Sequence, residues 1–339
     1  MNRNLPKPLR GIIVPLVTPL SGRDSIDVNG LERLVSRVIK GGVSGIFILG
    51  TTGEGPGLSY RLRTEMIELT CKFNAGRVPV LAGITDTAFE ESVSVARTAQ
   101  LNGANGLVLA PPYYFAANQK ELLSYIEHLV PELPLPVYLY NMPFQTKVFI
   151  EPDTVARASK IPGVWGIKDS SADMVYFHKL QRIFRNDPEF SLLVGPEELL
   201  AESLISGAHG GVNGGANLLP QLYVALYNKV MEGDERAVQA LHKQVMDVSM
   251  SVYSVCSSGS AYLKGLKCAL SLFGICSDFM AEPFGRCSSA EREAIQENLV
   301  RAGILKLEDR QKVKIQNTAS ARSSFSGAGC GLARDAFGE

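Results

Sequence analysis

Eight short apolar runs recur along the chain, and stretches with helical spacing separate them at intervals of roughly thirty residues. The runs begin at Ile12, Ser44, Val78, Gly106, Pro136, Gly163, Phe190 and Gly207. Runs this short, bounded by Gly, Pro and polar clusters, are typical of buried strands. The alternation therefore predicts an α/β protein, and eight such units close most economically into a (β/α)8 TIM barrel.

A doubly wound sheet is the rival fold, and it is less favoured. That fold needs a topological switch point and usually has a Gly-rich phosphate loop after its first strand. Here Thr18-Pro19-Leu20 follows the first run instead. The barrel also has a consequence for function, because catalytic residues of (β/α)8 barrels stand at the C-terminal ends of the strands.

Polar residues stand at or just after the ends of five predicted strands. They are Thr51 and Thr52 after the second run, Tyr113 and Tyr114 after the fourth, Tyr140 ending the fifth, Lys168 ending the sixth, and Glu197 and Glu198 after the seventh. We expect these residues to meet at one end of the barrel.

Helical spacing continues beyond the eighth run and then fades. We assign residues 8–232 to the barrel and residues 233–306 to a C-terminal helical region. Residues 307–339 form a polar tail of small residues, which we predict to be disordered.

Lys168 ends an apolar run abruptly, and two interpretations of it stay open. The side chain could extend past the strand end and place its amine in water. Alternatively, an amine shielded from water loses its proton more readily and can attack a carbonyl to form a Schiff base. The polar residues at the other strand ends favour the second interpretation.

Charge and cysteine content limit the remaining classes of function. Lys plus Arg and Asp plus Glu number 34 each, which gives no support to a nucleic-acid surface or a membrane anchor. No secretory signal or membrane span is evident, so we expect a soluble, cytoplasmic protein. The six cysteines form no CxxC pair, which favours buried thiols in a reducing compartment over a zinc site.

Four motifs at successive strand ends carry a family resemblance. They are Gly50-Thr51-Thr52-Gly53-Glu54, Pro112-Tyr113-Tyr114, Tyr140-Asn141-Met142-Pro143 and Gly166-Ile167-Lys168-Asp169. Together they resemble the motifs of the dihydrodipicolinate synthase/N-acetylneuraminate lyase family over roughly residues 8 to 300. Members of that family are class I, Schiff-base aldolases and lyases on the (β/α)8 barrel.

The resemblance implies a role for each matched residue. Lys168 would form a covalent imine with a 2-oxo acid such as pyruvate, so that neither a cofactor nor a metal is expected. Tyr140 would move protons, and Thr51 and Thr52 would hold the substrate carboxylate. Tyr114 would cross a subunit interface to complete a relay with Thr51 and Tyr140, which implies a homodimer or homotetramer.

The resemblance also implies that the backbone carbonyl of Val212 faces the lysine. Other interpretations of the matched residues stay open. Without the resemblance, Tyr140 could be a core tyrosine, the threonine pair an ordinary turn, and Tyr114 an interface aromatic. We expect Glu54 and His209 to shape loops and not to take part in chemistry.

Departures from the family pattern concern the substrate. Dihydrodipicolinate synthases carry an arginine where this chain has Gln145, and a neutral amide cannot supply a bidentate, charged clamp. Loss of this charged clamp would weaken the binding of a substrate carboxylate by about 1.5–3 kcal/mol. Lys147 stands where the family usually has glycine, and it is either a substitute cation or a solvated loop lysine.

The stretch Gly195-Pro196-Glu197-Glu198 is similar to the Gly-x-Asp-Glu stretch with which sialic acid lyases hold sugar hydroxyls. However, Thr51 stands where those lyases usually have serine. Acidic residues in the first turn of a helix explain Glu197 and Glu198 equally well.

The sequence thus predicts a Schiff-base lyase or aldolase that joins or cleaves a 2-oxo acid and an aldehyde or sugar-acid partner. The alternatives are 4-hydroxy-tetrahydrodipicolinate synthase proper, which condenses pyruvate with aspartate semialdehyde, or an N-acetylneuraminate lyase-like enzyme. A barrel that senses a ligand without turnover is the remaining possibility.

Overall fold

The computed structural model describes residues 5–256 and 259–305. Its strands, in chain order, are β1 (Gly11–Pro15), β2 (Leu20–Gly22), β3 (Ser25–Ile26), β4 (Gly45–Ile48), β5 (Val80–Gly83), β6 (Gly106–Leu109), β7 (Val137–Asn141), β8 (Val164–Asp169), β9 (Ser191–Val194) and β10 (Gly210–Gly211). Strands β1 and β4–β10 form a closed parallel barrel, because β1 pairs with both β4 and β10. The predicted (β/α)8 barrel is therefore confirmed.

The hairpin of β2 and β3 is an addition that the sequence did not predict. It lies between the first barrel strand and the first helix, and its strands are three and two residues long. Strands this short give no measurable alternation of apolar and polar residues, so the pattern that revealed the barrel could not reveal them.

The helices are α1 (Val28–Lys40), α2 (Tyr60–Asn74), α3 (Phe89–Leu101), α4 (Gln119–Leu129), α5 (Pro143–Thr146), α6 (Pro152–Ala158), α7 (Met174–Ile183), α8 (Leu200–Ile205), α9 (Pro220–Glu232), α10 (Glu235–Val252), α11 (Ala261–Leu272) and α12 (Ser289–Arg301). Side-chain caps fix several of the starts. Asn118 caps α4 and Ser288 caps α12, each in a reciprocal capping box.

Side chains of the barrel strands alternate between two hydrophobic cores. In β1, Ile13 belongs to the cluster inside the barrel, whereas Ile12 and Val14 pack between the barrel and the helices. The same rule places Lys168, since it is in register with Tyr140 on β7 and Leu193 on β9, and both belong to the interior cluster. Register therefore directs the lysine into the barrel.

The C-terminal helices α10–α12 follow the barrel, and α10 packs along α9. The division into residues 8–232 and 233–306 stays a prediction, and the predicted tail at 307–339 lies outside the described residues. Within the described ranges, no helix is both long and apolar enough to cross a membrane.

Candidate active site

Lys168 lies near the C-terminal end of β8 and is 6% exposed. Its Nζ atom lies 3.9 Å from the centroid of the Tyr140 ring and 5.3 Å from that of Phe47. Strand register and aromatic neighbours thus hold the amine in a largely water-shielded position. This arrangement is unlike a lysine that extends into solvent.

Tyr140 stands beside the lysine at the end of β7. Its hydroxyl lies 3.2 Å from Oγ1 of Thr51, which is in the loop after β4. Burial opposes ionisation of the phenol, but the charge of Lys168 and hydrogen bonds with Thr51, Lys168 and Ser170 outweigh it, and together they lower the pKa of Tyr140. A phenol whose ionised form is stabilised in this way suits proton transfer next to an amine.

The loop after β4 is held rigidly. Glu54 adopts the left-handed conformation at φ 56°, and its buried carboxylate forms an ion pair with Lys267 of α11. Its Oε2 atom accepts a hydrogen bond from the Ala281 amide at 2.8 Å. These contacts fix the backbone that carries Thr51 and Thr52, in agreement with the loop-shaping role expected for Glu54.

A cavity of about 280 Å³ opens above the lysine. Seven of the eight expected site residues line it, namely Thr51, Thr52, Tyr140, Gln145, Lys168, Glu197 and Val212. Among the described lining residues, Lys168 alone carries a cationic side chain, whereas Glu197 and Glu198 supply carboxyl groups. The cavity thus combines one amine with hydroxyls and acids.

Tyr114 is the expected residue that lies elsewhere. It is 78% exposed, and its ring packs edge-to-face against Phe115, which is itself 83% exposed, at a centroid distance of 5.0 Å. Its neighbour Tyr113 lines a second cavity of about 170 Å³, which shares Thr51 and Tyr140 with the first. Within one chain Tyr114 does not join the site, and its role across an interface stays a prediction.

Glu197 lies in the first turn of a short 3-10 helix, and its side chain is buried there. Its Oε1 atom accepts hydrogen bonds from the hydroxyls of Tyr223, at 2.5 Å, and Tyr253, at 2.8 Å. Its Oε2 atom accepts the Gly215 amide at 2.8 Å. Burial raises the pKa of Glu197 to about 7, although these hydrogen bonds oppose the rise.

Tyr253 and Tyr262 line the cavity but carried no signal in the sequence. The Tyr262 hydroxyl lies 3.2 Å from Oγ1 of Thr52, and the two tyrosine rings pack at 4.7 Å. Both residues come from the C-terminal region, more than two hundred positions beyond Thr52. Local patterns cannot reveal contacts made at such separations.

A glycine pair after β10 makes room for this cluster. A Cβ atom at Gly214 would lie 1.5 Å from the Tyr262 hydroxyl, and one at Gly215 would lie 1.9 Å from the Tyr223 hydroxyl. Any larger residue would therefore displace the phenols. The glycines were visible in the sequence, but the side chains they accommodate were not.

Gln145 and Lys147 occupy different positions at the entrance. Gln145 lines the cavity from an exposed site after β7. Lys147 is exposed, donates a hydrogen bond to the Phe144 carbonyl at 3.3 Å and is not among the described lining residues. Its φ of 61° is one that glycine adopts more easily. Of the two interpretations of Lys147, these contacts favour the loop lysine.

Comparison with known proteins places these observations in a family. Residues 8–302 match the family model described as the dihydrodipicolinate synthetase family. A 4-hydroxy-tetrahydrodipicolinate synthase of Phenylobacterium zucineum is 30% identical over 296 residues, which cover 87% of this chain and 98% of the relative.

Solved structures give the same picture. Dihydrodipicolinate synthase from Bacteroides thetaiotaomicron superposes with a TM-score of 0.85 at 54% identity, covering 87% of this chain and 99% of the other. A prophage protein of the dihydrodipicolinic acid synthase family from E. coli K12, in complex with pyruvate, gives a TM-score of 0.83 at 26% identity, with coverage of 87% and 99%.

Proposed function

This chain belongs to the dihydrodipicolinate synthetase family, and from that premise we propose that Lys168 is the amine through which it forms a Schiff base with its 2-oxo acid. The chain is a class I lyase or aldolase of this family and works with pyruvate. The family uses a Schiff-base lysine in place of a cofactor. The observation that most supports this proposal is the shielded position of the Lys168 amine, whose Nζ atom lies 3.9 Å from the centroid of the Tyr140 ring.

The neighbouring residues support a sequence of proton transfers. The Lys168 amine attacks the ketone carbon, and loss of water from the adduct gives a protonated imine. This imine withdraws electrons, so that a proton leaves the adjacent carbon more easily. Tyr140, which contacts Thr51, is placed to carry protons to and from the adduct. The hydroxyls of Thr51 and Thr52 suit the substrate carboxylate.

Trapping tests this proposal. Borohydride reduction in the presence of pyruvate should leave one stable adduct, and peptide mass analysis should place it on Lys168. Lys168→Ala should abolish the adduct, while the matched Lys147→Ala variant, which alters an exposed lysine of the same region, should retain it. Labelling at another lysine, or none in the wild type, would contradict the proposal.

The second substrate is a separate question. Gln145 at the cavity entrance supplies no positive charge to bind a carboxylate. This favours an aldehyde or sugar-acid partner that has no carboxylate next to Gln145. Condensation with aspartate semialdehyde stays a second candidate, since the Phenylobacterium relative is named 4-hydroxy-tetrahydrodipicolinate synthase and the Bacteroides protein is named dihydrodipicolinate synthase.

Turnover assays separate the two candidates. Aspartate semialdehyde should be compared with a panel of 2-keto-3-deoxy sugar acids and N-acetylneuraminate. If Gln145 limits carboxylate selection, Gln145→Arg should raise kcat/KM for the semialdehyde by about 10-fold or more. A variant that gains nothing would contradict this account of Gln145, while leaving the Lys168 adduct untouched.

A further inference from the structure

Two cysteines far apart in the sequence meet beside the active-site wall. Cys256 follows α10, and Cys287 directly precedes Ser288, the residue that caps α12. Their Sγ atoms lie 2.9 Å apart. Cys256 is 4% exposed, whereas Cys287 is half-buried within an exposed connecting segment, so that a small reagent has access to the pair through Cys287.

The geometry distinguishes a crosslink from a metal site. A carboxylate oxygen of Glu291 lies within 4.8 Å of both sulfur atoms, which makes the three residues a candidate ligand set. However, two thiolates on one tetrahedral zinc ion would lie about 3.8 Å apart. The observed pair is closer than that, and a shift of about 0.9 Å would bring the sulfurs to bonding distance. The arrangement therefore fits a disulfide better than a shared ion.

We propose that Cys256 and Cys287 form a reversible intrachain disulfide by exchange with a low-molecular-weight disulfide such as oxidised glutathione. The Cys287 thiolate attacks one sulfur of the reagent, whose S–S bond breaks and releases one thiolate. Cys256 then attacks the Cys287 sulfur of the mixed disulfide and releases the second. The two protein thiols are oxidised, their protons pass to the departing thiolates, and the reagent is reduced to two thiols.

The crosslink would join segments that shape the active site. Tyr253, Gly259, Tyr262 and Leu263 line the cavity and lie on either side of Cys256. A bond to Cys287 would anchor this wall to the start of α12 and close a loop between positions 31 apart. The inference is independent of the proposed chemistry at Lys168.

Burial and neighbouring groups make the exchange slow at neutral pH. Burial, supported by contact with Cys287, raises the pKa of Cys256 to about 12. Contact with Cys268, together with burial, raises the pKa of Cys287 as well. The thiolate is the attacking species, so oxidation should accelerate as the pH rises.

Thiol counting and peptide mapping of the full chain test the proposal. After long incubation with oxidised glutathione at alkaline pH, two of the six thiols should be lost relative to the dithiothreitol-treated protein, and one peptide pair should contain Cys256 and Cys287. The oxidised form should melt about 5 °C higher. Reduction should reverse both changes.

Single variants identify the partners. Cys256→Ser and Cys287→Ser should each abolish the crosslink and the rise in Tm, whereas Cys268→Ser and the control Cys71→Ser should retain both. Serine is close in size to cysteine, and Cys287 is only half-buried, so at least this variant should fold. A different cysteine pair, a glutathione adduct without a crosslink, or one bound zinc per chain with all thiols free would overturn the proposal.

Discussion

Lys168 owes its position to strand register more than to its own neighbours in the sequence. Tyr140, Lys168 and Leu193 are in register across three adjacent strands and face the barrel interior. Lys168 has the long polar side chain among these three residues, and it lines the cavity at the end of the apolar interior of the barrel. Any change that shifts β8 by one residue would turn the amine toward the helices.

The Tyr140 hydroxyl is the group whose removal tests proton transfer most directly. Tyr140→Phe keeps the ring beside the lysine but removes the oxygen that contacts Thr51. We expect kcat to fall by roughly 10²–10⁴-fold, because a positioned acid or base contributes about that much. Steady-state kinetics with pyruvate and the accepted partner would measure it.

A matched control is Tyr227→Phe on α9, a half-buried tyrosine that is not among the described cavity-lining residues. It should leave kcat within about 2-fold of the wild type. A Tyr140→Phe enzyme with unchanged kcat would assign proton transfer to another group.

Glu197 should make stability depend on pH near neutrality. Its pKa in the folded protein is about 7, above the ordinary value of 4.5, so the folded state holds a proton that the unfolded chain has released. Its contribution is full below pH 4.5 and is lost as the pH rises toward and through 7. Within that window the loss is at most about 1.4 kcal/mol per pH unit.

Glu197→Gln mimics the neutral acid and should remove this dependence. Thermal melting at pH 5, 6, 7 and 8 should show that the wild type loses more Tm than the variant as the pH rises. Glu198→Gln is the control, because that neighbouring acid is less buried. Parallel Tm curves for wild type and Glu197→Gln would show that the acid does not titrate in this range.

At the scale of elements, one buried ion pair connects the loop after β4 to helix α11. Lys267 is 1% exposed, and it contacts both Glu54 and the Phe279 carbonyl, the latter at 2.7 Å. Removing one partner leaves an uncompensated buried charge, so Lys267→Met should lower the free energy of unfolding by about 3–5 kcal/mol. Urea denaturation would measure the change.

Two further variants make the interpretation specific. Lys264→Met on the same helix, at a half-buried position, should cost less than about 1 kcal/mol. Adding Glu54→Gln to Lys267→Met should recover part of the loss, because no charge is then left unpaired. A Lys267→Met cost as small as that of Lys264→Met would mean that the pair contributes little.

Elements that belong to a repeated pattern were predictable from the sequence, and short elements outside that pattern were not. The eight barrel strands give apolar runs, and helices such as α1 and α10 repeat an apolar face over three or more turns. The hairpin β2–β3 and the four-residue helix α5 are too short for a period to emerge. Pairing between the two strands defines the hairpin. Backbone hydrogen bonds and a proline in the first turn define α5.

The candidate site divides in the same way. Thr51, Tyr140 and Lys168 stand at strand ends in recognisable motifs, so their shared position at the cavity could be predicted from the sequence. Tyr253 and Tyr262 reach the cavity only because α10 and α11 pack back over the barrel mouth. Such positions follow from tertiary packing, which no local pattern in a single sequence encodes.

At the scale of the whole molecule, the exposed Tyr114 bears on how copies of the chain would assemble. Tyr114 and Phe115 form an exposed aromatic pair in the loop between β6 and α4, directly after Tyr113, which lines the second cavity. Exposed aromatic pairs are typical of protein interfaces. If a partner copy supplies Tyr114 to the relay, the catalytic unit is a dimer and its two sites are shared.

Shared sites predict complementation between two inactive variants. Lys168→Ala lacks the amine, and Tyr114→Phe lacks the hydroxyl expected from the partner, so each alone should be nearly inactive. In a mixed dimer, the site with an intact Lys168 receives a native Tyr114. Co-expression should therefore restore roughly a quarter of wild-type activity, since half of the dimers are mixed and each has one complete site. Activity no higher than that of the variants assayed separately would place Tyr114 outside the relay, and the exposed aromatic pair would then serve packing alone.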